Sequence, residues 1–366
     1  MGYVAVTGGQ QAIETANLLN QWYRLKDADH ALEVTAIEKQ MRHLVDRVIS
    51  ESGLYAPNDA ALALKQAEGD PAEAAFLLRA YRSTLERNVE SLTVDPGQMR
   101  VIRRISSAFK DIPGSQILGP TVDYTHRLLN FTLRNEEAQA ALKSVLQQLP
   151  KQDNPHTDHR QPFRKVADLL REQGLLSPPN ARNGLVDITR DKLTFPVPRS
   201  AKLQLLSRGD TGAMTALAYS SMREHTAQHP TVAELRVGYV ELTVAYPLAS
   251  NETLPLGEVM VTEVETINSF TKKDNGDVQF QLGYGLTFGQ NETKAIAMAI
   301  LEQRLETDGT SPTHDEEFVL LHVDSIEANG FVSHLKLPHY ITFQSKLDVL
   351  RQAQKLAAEK TDHQEV

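Results

Sequence analysis

The sequence predicts an α+β fold, with a largely helical N-terminal half and a C-terminal half in which an antiparallel β-meander is flanked by helices. Two observations predict it. Apolar residues recur at helical spacing through most of the first 150 residues. After residue 230, three segments rich in β-branched and aromatic residues alternate in part instead. We therefore expect a mainly helical domain over 1–150, an extended connection over 151–200 and a mixed α/β domain over 201–366.

The N-terminal half contains a series of predicted helices. Asp70, Pro71 and Glu73 form a helix start signal, with a cap residue, a proline in the first turn and a carboxylate three positions after the cap. After a short strand at 3–6, helices are predicted at 10–26, 35–52, 58–68, 70–89, 98–110 and 121–149. The polar segment 150–160 is typical of a linker.

The C-terminal half begins with two predicted helices, at 200–207 and 212–227. Three strands follow, at 234–246, 257–270 and 277–289, and the segment KKDNGD between the last two indicates a hairpin turn. Asn291 is placed to start a helix ending near 306, and Thr313 with Glu316 predicts a capping box for a helix at 314–329. A last amphipathic helix is predicted at 343–358.

Composition narrows the function classes. The formal charge of −9 argues against general nucleic-acid binding. The chain has no cysteine, which excludes disulfides, iron–sulfur clusters and thiolate zinc sites within it, so a metal would need His, Asp or Glu ligands. The N-terminus lacks a signal-peptide pattern, and no stretch approaches 18 apolar residues. The expectation is a cytoplasmic protein with no membrane association.

The segment GFVSHLKLPHYITF (330–343) holds the first candidate site. His334 and His339 are five positions apart, so only a bent backbone can bring both imidazoles to one target. Pro338 favours an extended conformation at Leu337, and Gly330 is a candidate helix C-cap. The pair could bind a Zn²⁺-like ion, or each ring could simply be bonded to a backbone carbonyl. The spacing leaves both alternatives open.

Three adjacent carboxylates form a second candidate. Asp315, Glu316 and Glu317 could act as general acid or base, or complete a metal site. Acidic residues are also what the first turn of a helix favours, and Glu316 is the expected partner in the capping box.

The third candidate is a basic helix face. Arg100, Arg103, Arg104 and Lys110 precede a loop rich in glycine and proline, and the first three have i, i+3 and i+4 spacing. Such a face could hold a polyphosphate or an acidic partner, or it could be an ordinary solvated helix surface.

A glycine-rich turn gives a weaker signal. Gly283, Gly285 and Gly289 lie between a predicted strand and a predicted helix, where backbone amides can bind phosphate. The spacing differs from the dinucleotide fingerprint, and Glu292 would repel an anion.

Longer strings resemble a known family. FKDIPGSQILGPTVDYTHRLLNFTL (109–133), LALKQAEGDPAEAAFLLRAYR (62–82), DEEFVLLHVDSIEANGFVSHLKLPHY (315–340) and GYGLTFG (283–289) resemble the I subunit of the carbon–phosphorus lyase core complex, the PhnI family. The resemblance covers nearly the whole chain and is weakest at about 134–200.

The resemblance implies a role in phosphonate use. It implies a purine-nucleosidase activity on ATP or GTP, converted in the assembly with subunits G, H and L into displacement of adenine by an alkylphosphonate. The product would be α-D-ribose 1-alkylphosphonate 5-triphosphate. Partner subunits would be G, H, J and the ATP-binding cassette subunits K and L, with J later breaking the C–P bond by radical chemistry.

The resemblance also bears on the sites. It implies that His334 and His339 bind a zinc-like ion at the interface with subunit J. The acid–base candidates Asp315, Glu316 and Glu317, and the phosphate candidates Arg103, Arg104 and Lys110, rest on chemistry and position alone. Two other functions stay open: a non-catalytic scaffold subunit of the same complex, and an unrelated metal-dependent hydrolase.

Overall fold

The structure is a computed structural model that describes residues 9–149, 164–176, 185–224, 229–246, 248–249, 252–272, 276 and 278–362. The strand predicted at 3–6 and the linker predicted at 150–160 lie outside these ranges. Within them, no helix combines the length and the apolar character that a membrane span requires. The predicted α+β class is confirmed by many helices around one antiparallel sheet.

Five helices open the chain. They are α1 (Gln10–Leu25), α2 (Val34–Gln40), α3 (Arg42–Ser52), α4 (Pro57–Gln66) and α5 (Pro71–Arg82). Helices α2 to α5 surround one apolar core that includes Val48, Ile49 and Leu64, all buried. The predicted cap of α5 is confirmed, because the Asp70 carboxylate accepts a hydrogen bond from the Ala72 amide at 2.9 Å.

In the part of the chain that the structure describes, one sheet of four antiparallel strands forms the centre of the fold. The strands are β1 (Arg100–Ile105), β2 (Thr231–Ala245), β3 (Thr253–Lys272) and β4 (Val278–Phe288), in the spatial order β1-β2-β3-β4. The predicted meander is therefore confirmed as β2 to β4. The predicted division into domains stays a prediction, although β1 precedes the proposed connection and pairs with β2, which follows it.

The helix predicted at 98–110 is wrong, because its centre, Arg100–Ile105, is strand β1 and the residues after it are irregular. Val101, Ile102 and Ile105 are β-branched and suit a sheet, and the backbone of β1 pairs with β2. The helix predicted at 121–149 is also shorter in the structure. It is a 3₁₀ turn at Phe131–Asn135 followed by α6 (Ala138–Gln148).

The remaining helices are α7 (Val166–Glu172), α8 (Arg199–Ser207), α9 (Thr211–Glu224), α10 (Glu292–Leu305), α11 (Glu316–His322), α12 (Ser325–Ser333) and α13 (Tyr340–Asp362).

The two faces of the sheet are covered differently. Helix α10 packs Ala295 and Ala299 against Leu235, Val237 and Val264 of the sheet. On the opposite face, Lys165 at the start of α7 lies among charged side chains of β2 and β3.

The single helix predicted at 314–329 is two helices in the structure. Asp315, rather than Thr313, caps α11 through the Phe318 amide at 2.9 Å, and Asp324 caps α12. Gly330 lies inside α12, so the predicted C-cap at this glycine is wrong. Helix α12 continues into a 3₁₀ turn at His334–Lys336, and α13 begins at Tyr340.

Candidate metal centre and adjoining cleft

His334 and His339 lie on either side of a sharp bend in the chain. His334 begins the 3₁₀ turn that ends α12, and His339 directly precedes α13. Between them Leu337 is extended, with φ −79° and ψ 161°, as expected for a residue before proline. The bend between the two helices brings the imidazoles together, with their ring centroids 5.3 Å apart.

The hydrogen bonds of both rings leave the same nitrogen free. Nδ1 of His334 contacts the carbonyl oxygen of Phe331, and Nδ1 of His339 lies 2.6 Å from the carbonyl oxygen of Leu337. Because a carbonyl oxygen only accepts, each Nδ1 carries a hydrogen, and in a neutral imidazole the lone pair is then on Nε2. A backbone acceptor on the far nitrogen is the arrangement that orients a metal-binding histidine.

The separation of the rings can be compared with that in a shared metal site. An imidazole centroid lies about 3.2 Å from an ion bound at about 2.0–2.1 Å, so two ligands at a tetrahedral angle have centroids about 5.2 Å apart. The 5.3 Å separation of His334 and His339 fits this value. Two histidines do not complete a site, and the described residues contain no group of three or more His, Asp or Glu positioned around one ion.

A cleft adjoins His334. Its volume is about 640 Å³, and α5 forms one wall while α12 and the following 3₁₀ turn form the other. The lining residues include the apolar side chains of Phe76, Ile326, Phe331, Val332 and Leu337. The ring of Phe331 contacts the ring of His334 edge-on, with centroids 5.3 Å apart. The cleft therefore reaches the histidine pair at His334.

The three carboxylates predicted as acid or base lie at the start of α11, and no hydrogen bond joins them to the histidines. Asp315 caps the helix. Glu316 pairs with Lys202 at 2.9 Å and accepts the Val197 amide, which binds α8 and the segment before it to α11. Glu317 is exposed, and its carboxylate makes no hydrogen bond or ion pair within the described part of the chain.

The basic helix face does not exist, because neighbouring residues of a strand point to opposite faces of the sheet. Arg103 is fully buried on the α10 side and pairs with Asp123 at 2.5 Å and Glu292 at 3.0 Å. It also donates to the Leu118 carbonyl. Its partners occupy the guanidinium, so Arg103 anchors the 118–123 loop to the sheet and to α10.

Arg104 is equally buried on the other face of the sheet. Its Nε donates to Glu234 at 2.5 Å, and Nη2 donates to the carbonyl of Arg164 at 2.9 Å. Lys110 is exposed in the loop after β1. Arg103 and Arg104 therefore do not share a solvent-facing surface, and the prediction of one basic helix face is wrong. Of the three phosphate candidates, Lys110 is the exposed one.

The glycines of β4 serve packing. A Cβ at Gly283 would collide with the backbone oxygen of Ala299, and one at Gly285 with that of Ala295. These glycines let α10 approach the strand closely. The start of α10 is occupied by its own Glu292, which faces Arg103. The described structure therefore leaves little reason to place a phosphate at this turn.

A family model described as bacterial phosphonate metabolism protein (PhnI) matches residues 2–357. The chain belongs to the PhnI family.

Relatives of this PhnI-family chain are similar over almost their whole length. HtxH of Stutzerimonas stutzeri, a proposed C-P lyase subunit, is 50% identical over 97% of this chain and 96% of its own. Two proteins are named as alpha-D-ribose 1-methylphosphonate 5-triphosphate synthase subunit PhnI. The Escherichia coli protein is 45% identical, covering 96% of this chain and 98% of its own, and the Rhizobium meliloti protein is 42% identical, covering 95% and 94%.

The PhnI-family chain also holds a buried charge cluster that sequence reasoning missed. Lys165 pairs with Glu263 at 3.0 Å and Glu265 at 2.7 Å, and Arg236 pairs with Glu263. Burial acts to raise the pKa of Glu263, but Arg236 and Lys165 outweigh it and the pKa is lowered. Burial raises the pKa of Glu265 despite Lys165. Alternating charges on a strand usually indicate a solvent face, so only the tertiary structure shows that this face is covered.

Lys294 is a second buried charge that the sequence did not reveal. It lies in the first turn of α10, fully buried, and its Nζ donates to the Ser50 hydroxyl at 2.7 Å. Burial lowers the pKa of Lys294 to about 7, although the carboxylates of Glu51 and Asp210 act in the opposite direction. This residue joins α10 to α3 in the interior and lines none of the clefts described above.

Proposed function

We propose that this chain is a subunit of α-D-ribose 1-alkylphosphonate 5-triphosphate synthase within a carbon–phosphorus lyase core complex. The observation that carries the proposal is the similarity, over nearly the whole chain, to two proteins named as subunits of ribose 1-methylphosphonate 5-triphosphate synthase. The proximity of the His334 and His339 rings, with centroids 5.3 Å apart, supports it, because the resemblance to the family implies that this pair binds a metal.

The proposed reaction is a displacement at C1 of the ribose of ATP or GTP. The bond between C1 and the purine nitrogen breaks, and its electron pair leaves with the base, which takes up a proton. A phosphonate oxygen forms the new bond to C1, through a state with oxocarbenium character. The products are the free purine and α-D-ribose 1-alkylphosphonate 5-triphosphate, and water takes the place of the phosphonate when the chain acts alone.

His334 and His339 would hold the metal through Nε2, each fixed by its Nδ1–H bond to the backbone. A zinc-like divalent ion, when bound, supplies positive charge that attracts and orients an anionic oxygen. The two histidines fit such an ion as part of its ligand set, and the other ligands would come from water, substrate or a neighbouring subunit. We propose subunit J as that neighbour.

The other candidate residues differ in whether their side chains are free to act on the substrate. Glu317 stays available as an acid or base, whereas Asp315 and Glu316 are occupied in capping and ion pairing. Lys110 stays available for the triphosphate. Arg103 and Arg104 would first have to leave their carboxylate partners. We further propose a cytoplasmic assembly that includes subunits G, H and J and the ATP-binding cassette subunits K and L.

The test uses the assembled complex carrying His334→Ala or His339→Ala. We expect each change to reduce ribosyl-phosphonate formation at least a hundredfold and to lower bound zinc, while the subunits still co-elute. His322→Ala is the matched control, because its Nδ1 also contacts a backbone carbonyl, that of Phe318 at 2.7 Å. Product is followed by phosphorus NMR, purine release by chromatography and metal by mass spectrometry.

The outcomes separate the alternatives. Full activity and unchanged zinc in both variants would remove the metal site from the proposal. If the natural complex releases no purine from ATP, the non-catalytic scaffold role is the alternative that remains. Hydrolysis of unrelated esters or amides with no need for a purine leaving group would favour a general metal-dependent hydrolase.

A further inference from the structure

We propose that the cleft between α5 and α12 is the subsite for the purine base of the nucleotide. This inference rests on the proposed function and adds the position of the substrate. The leaving nitrogen of the base is bonded directly to C1, the atom that the nucleophile attacks. If the nucleophile is held at the histidine pair, the base must therefore lie within a few ångströms of that pair. The cleft lined by His334 is a cavity in that position.

The size and the walls of the cleft suit a planar aromatic ligand. Its volume of about 640 Å³ is within the range of small-molecule sites, roughly 300–1,000 Å³. Phe331 is 65% exposed on the α12 side, and Phe76 is 40% exposed on the α5 side. Exposed aromatic faces are the usual stacking surfaces for a nucleobase. Since the Phe331 ring already contacts His334, a base stacked on Phe331 would hold its sugar towards the histidines.

Polar groups at the cleft match the edge of a purine. Asn329, Glu73 and Lys336 all line it, and their side chains make no hydrogen bond or ion pair within the described ranges. The Asn329 amide offers a donor and an acceptor in one plane, which is the pattern that pairs with the N6 and N7 positions of adenine. Glu73 places a carboxylate on the opposite wall, and Lys336 places a cation beside His334.

The chain also brings two distant segments together at this cleft. Residues 70–76 of α5 and residues 326–337 are about 255 positions apart, yet they form its two walls. The contact between α5 and α12 is fixed elsewhere, because Arg79 of α5 pairs with Asp324, the cap of α12, at 2.8 Å. The ion pair between Arg79 and Asp324 thus holds α5 and α12 together, and neither of these two residues lines the cleft.

The experiment separates recognition of the base from recognition of the phosphates. Phe331→Ala and Asn329→Ala are introduced into the full complex, and two ligands are compared: ATP as substrate and ribose 5-triphosphate, which lacks the base, as competitive inhibitor. Each variant should raise the KM for ATP about fivefold to hundredfold, the range expected for one stacking or bidentate contact. The inhibition constant of ribose 5-triphosphate should stay unchanged.

Two matched variants serve as controls. Phe270→Ala removes another exposed phenylalanine, and Asn88→Ala another exposed asparagine, both outside the cleft. Neither should alter the KM for ATP. Size-exclusion chromatography of every variant reports whether the complex assembles.

Three results would overturn the proposal. An unchanged KM for ATP in both cleft variants would show that the base binds elsewhere. An equal loss for ATP and ribose 5-triphosphate would show that the cleft holds phosphates. Loss of assembly would show that a partner subunit covers it. Failure of the proposed function is distinguishable. The natural complex would then release no purine, but equilibrium dialysis would still show weaker ATP binding by the two cleft variants than by the natural complex.

Discussion

At the scale of single residues, the structure places several full charges in the interior. Arg103, Arg104 and Lys294 are all fully buried. Each of the two arginines forms an ion pair with a carboxylate. Lys294 faces a hydroxyl, and the nearby carboxylates do not offset its burial, so its ammonium form is disfavoured. The difference between these residues is the distance to a partner carboxylate, which the sequence does not reveal.

Lys294 predicts a specific dependence of stability on pH. Its pKa is about 7 in the folded chain and about 10.4 when unfolded. Between these values the unfolded chain binds a proton that the folded chain releases, so the free energy of unfolding rises with pH. Lys294→Met removes this contribution. We expect the stability of the variant relative to the natural chain to fall by about 3 kcal/mol between pH 7 and about pH 9.5.

Urea titrations of both proteins over this pH range, at a protein concentration low enough to prevent aggregation, measure the difference. Lys346→Met is the control, because this lysine is exposed on α13 and its substitution should give a difference that does not vary with pH. A constant difference for Lys294→Met as well would mean that this lysine stays charged in the folded chain.

At the scale of secondary-structure elements, close packing of β4 and α10 depends on two glycines. Gly285 has no room for a Cβ because the backbone oxygen of Ala295 occupies that space. The same oxygen belongs to the interior of α10, so it cannot move without displacing the helix. The strand that carries these glycines was predicted correctly. The glycines allow α10 to pack closely against the strand, whereas the sequence had suggested that they bind phosphate.

Gly285→Ala should therefore destabilise the chain by about 1–3 kcal/mol, the usual cost of inserting a methyl group into a packed interior. Val278→Ala, at an exposed position of the same strand, should change the free energy of unfolding by less than about 1 kcal/mol. Chemical denaturation measures both. Equal effects of the two substitutions would contradict the close contact between β4 and α10.

At the scale of the whole molecule, extensive apolar surface is exposed. Helix α1 has no buried residue, and neither has α6. Side chains that are more than half exposed include Leu18, Trp22, Leu128, Leu129, Leu146, Ile341 and Phe343. Surface of this kind marks contacts with other proteins. It agrees with the membership in a family whose named relatives are subunits.

We expect the isolated chain to aggregate and the co-expressed assembly with subunits G, H and J to be stable. The physical reason is the burial of apolar surface, at about 25 cal/mol per Å². Size-exclusion chromatography with light scattering measures the state of each preparation. A monodisperse monomer that does not bind those subunits would contradict both the assembly and the interpretation of α1 and α6 as contact surfaces.

The sequence alone determined the family, the α+β class, the β2–β4 meander and the position of the histidine pair. These rest on local information: periodicity, turn residues, Pro338 before His339, and strings that resemble the PhnI family. Pro338 was enough to predict a bend beside the two histidines, whereas the helix end predicted at Gly330 was wrong and the metal role came from the resemblance to the family. Their metal ligation stays a prediction.

Only the tertiary structure decided the rest. Strand β1 has basic residues at helical spacing, and it is a strand because β2, which begins about 130 residues later, supplies its hydrogen-bond partners. The same long-range pairing buries Arg103 and Arg104 on opposite faces and removes them from any shared phosphate surface. The cleft at His334 likewise needs α5 and α12 together. Such contacts depend on packing between distant segments, and local propensity carries no record of them.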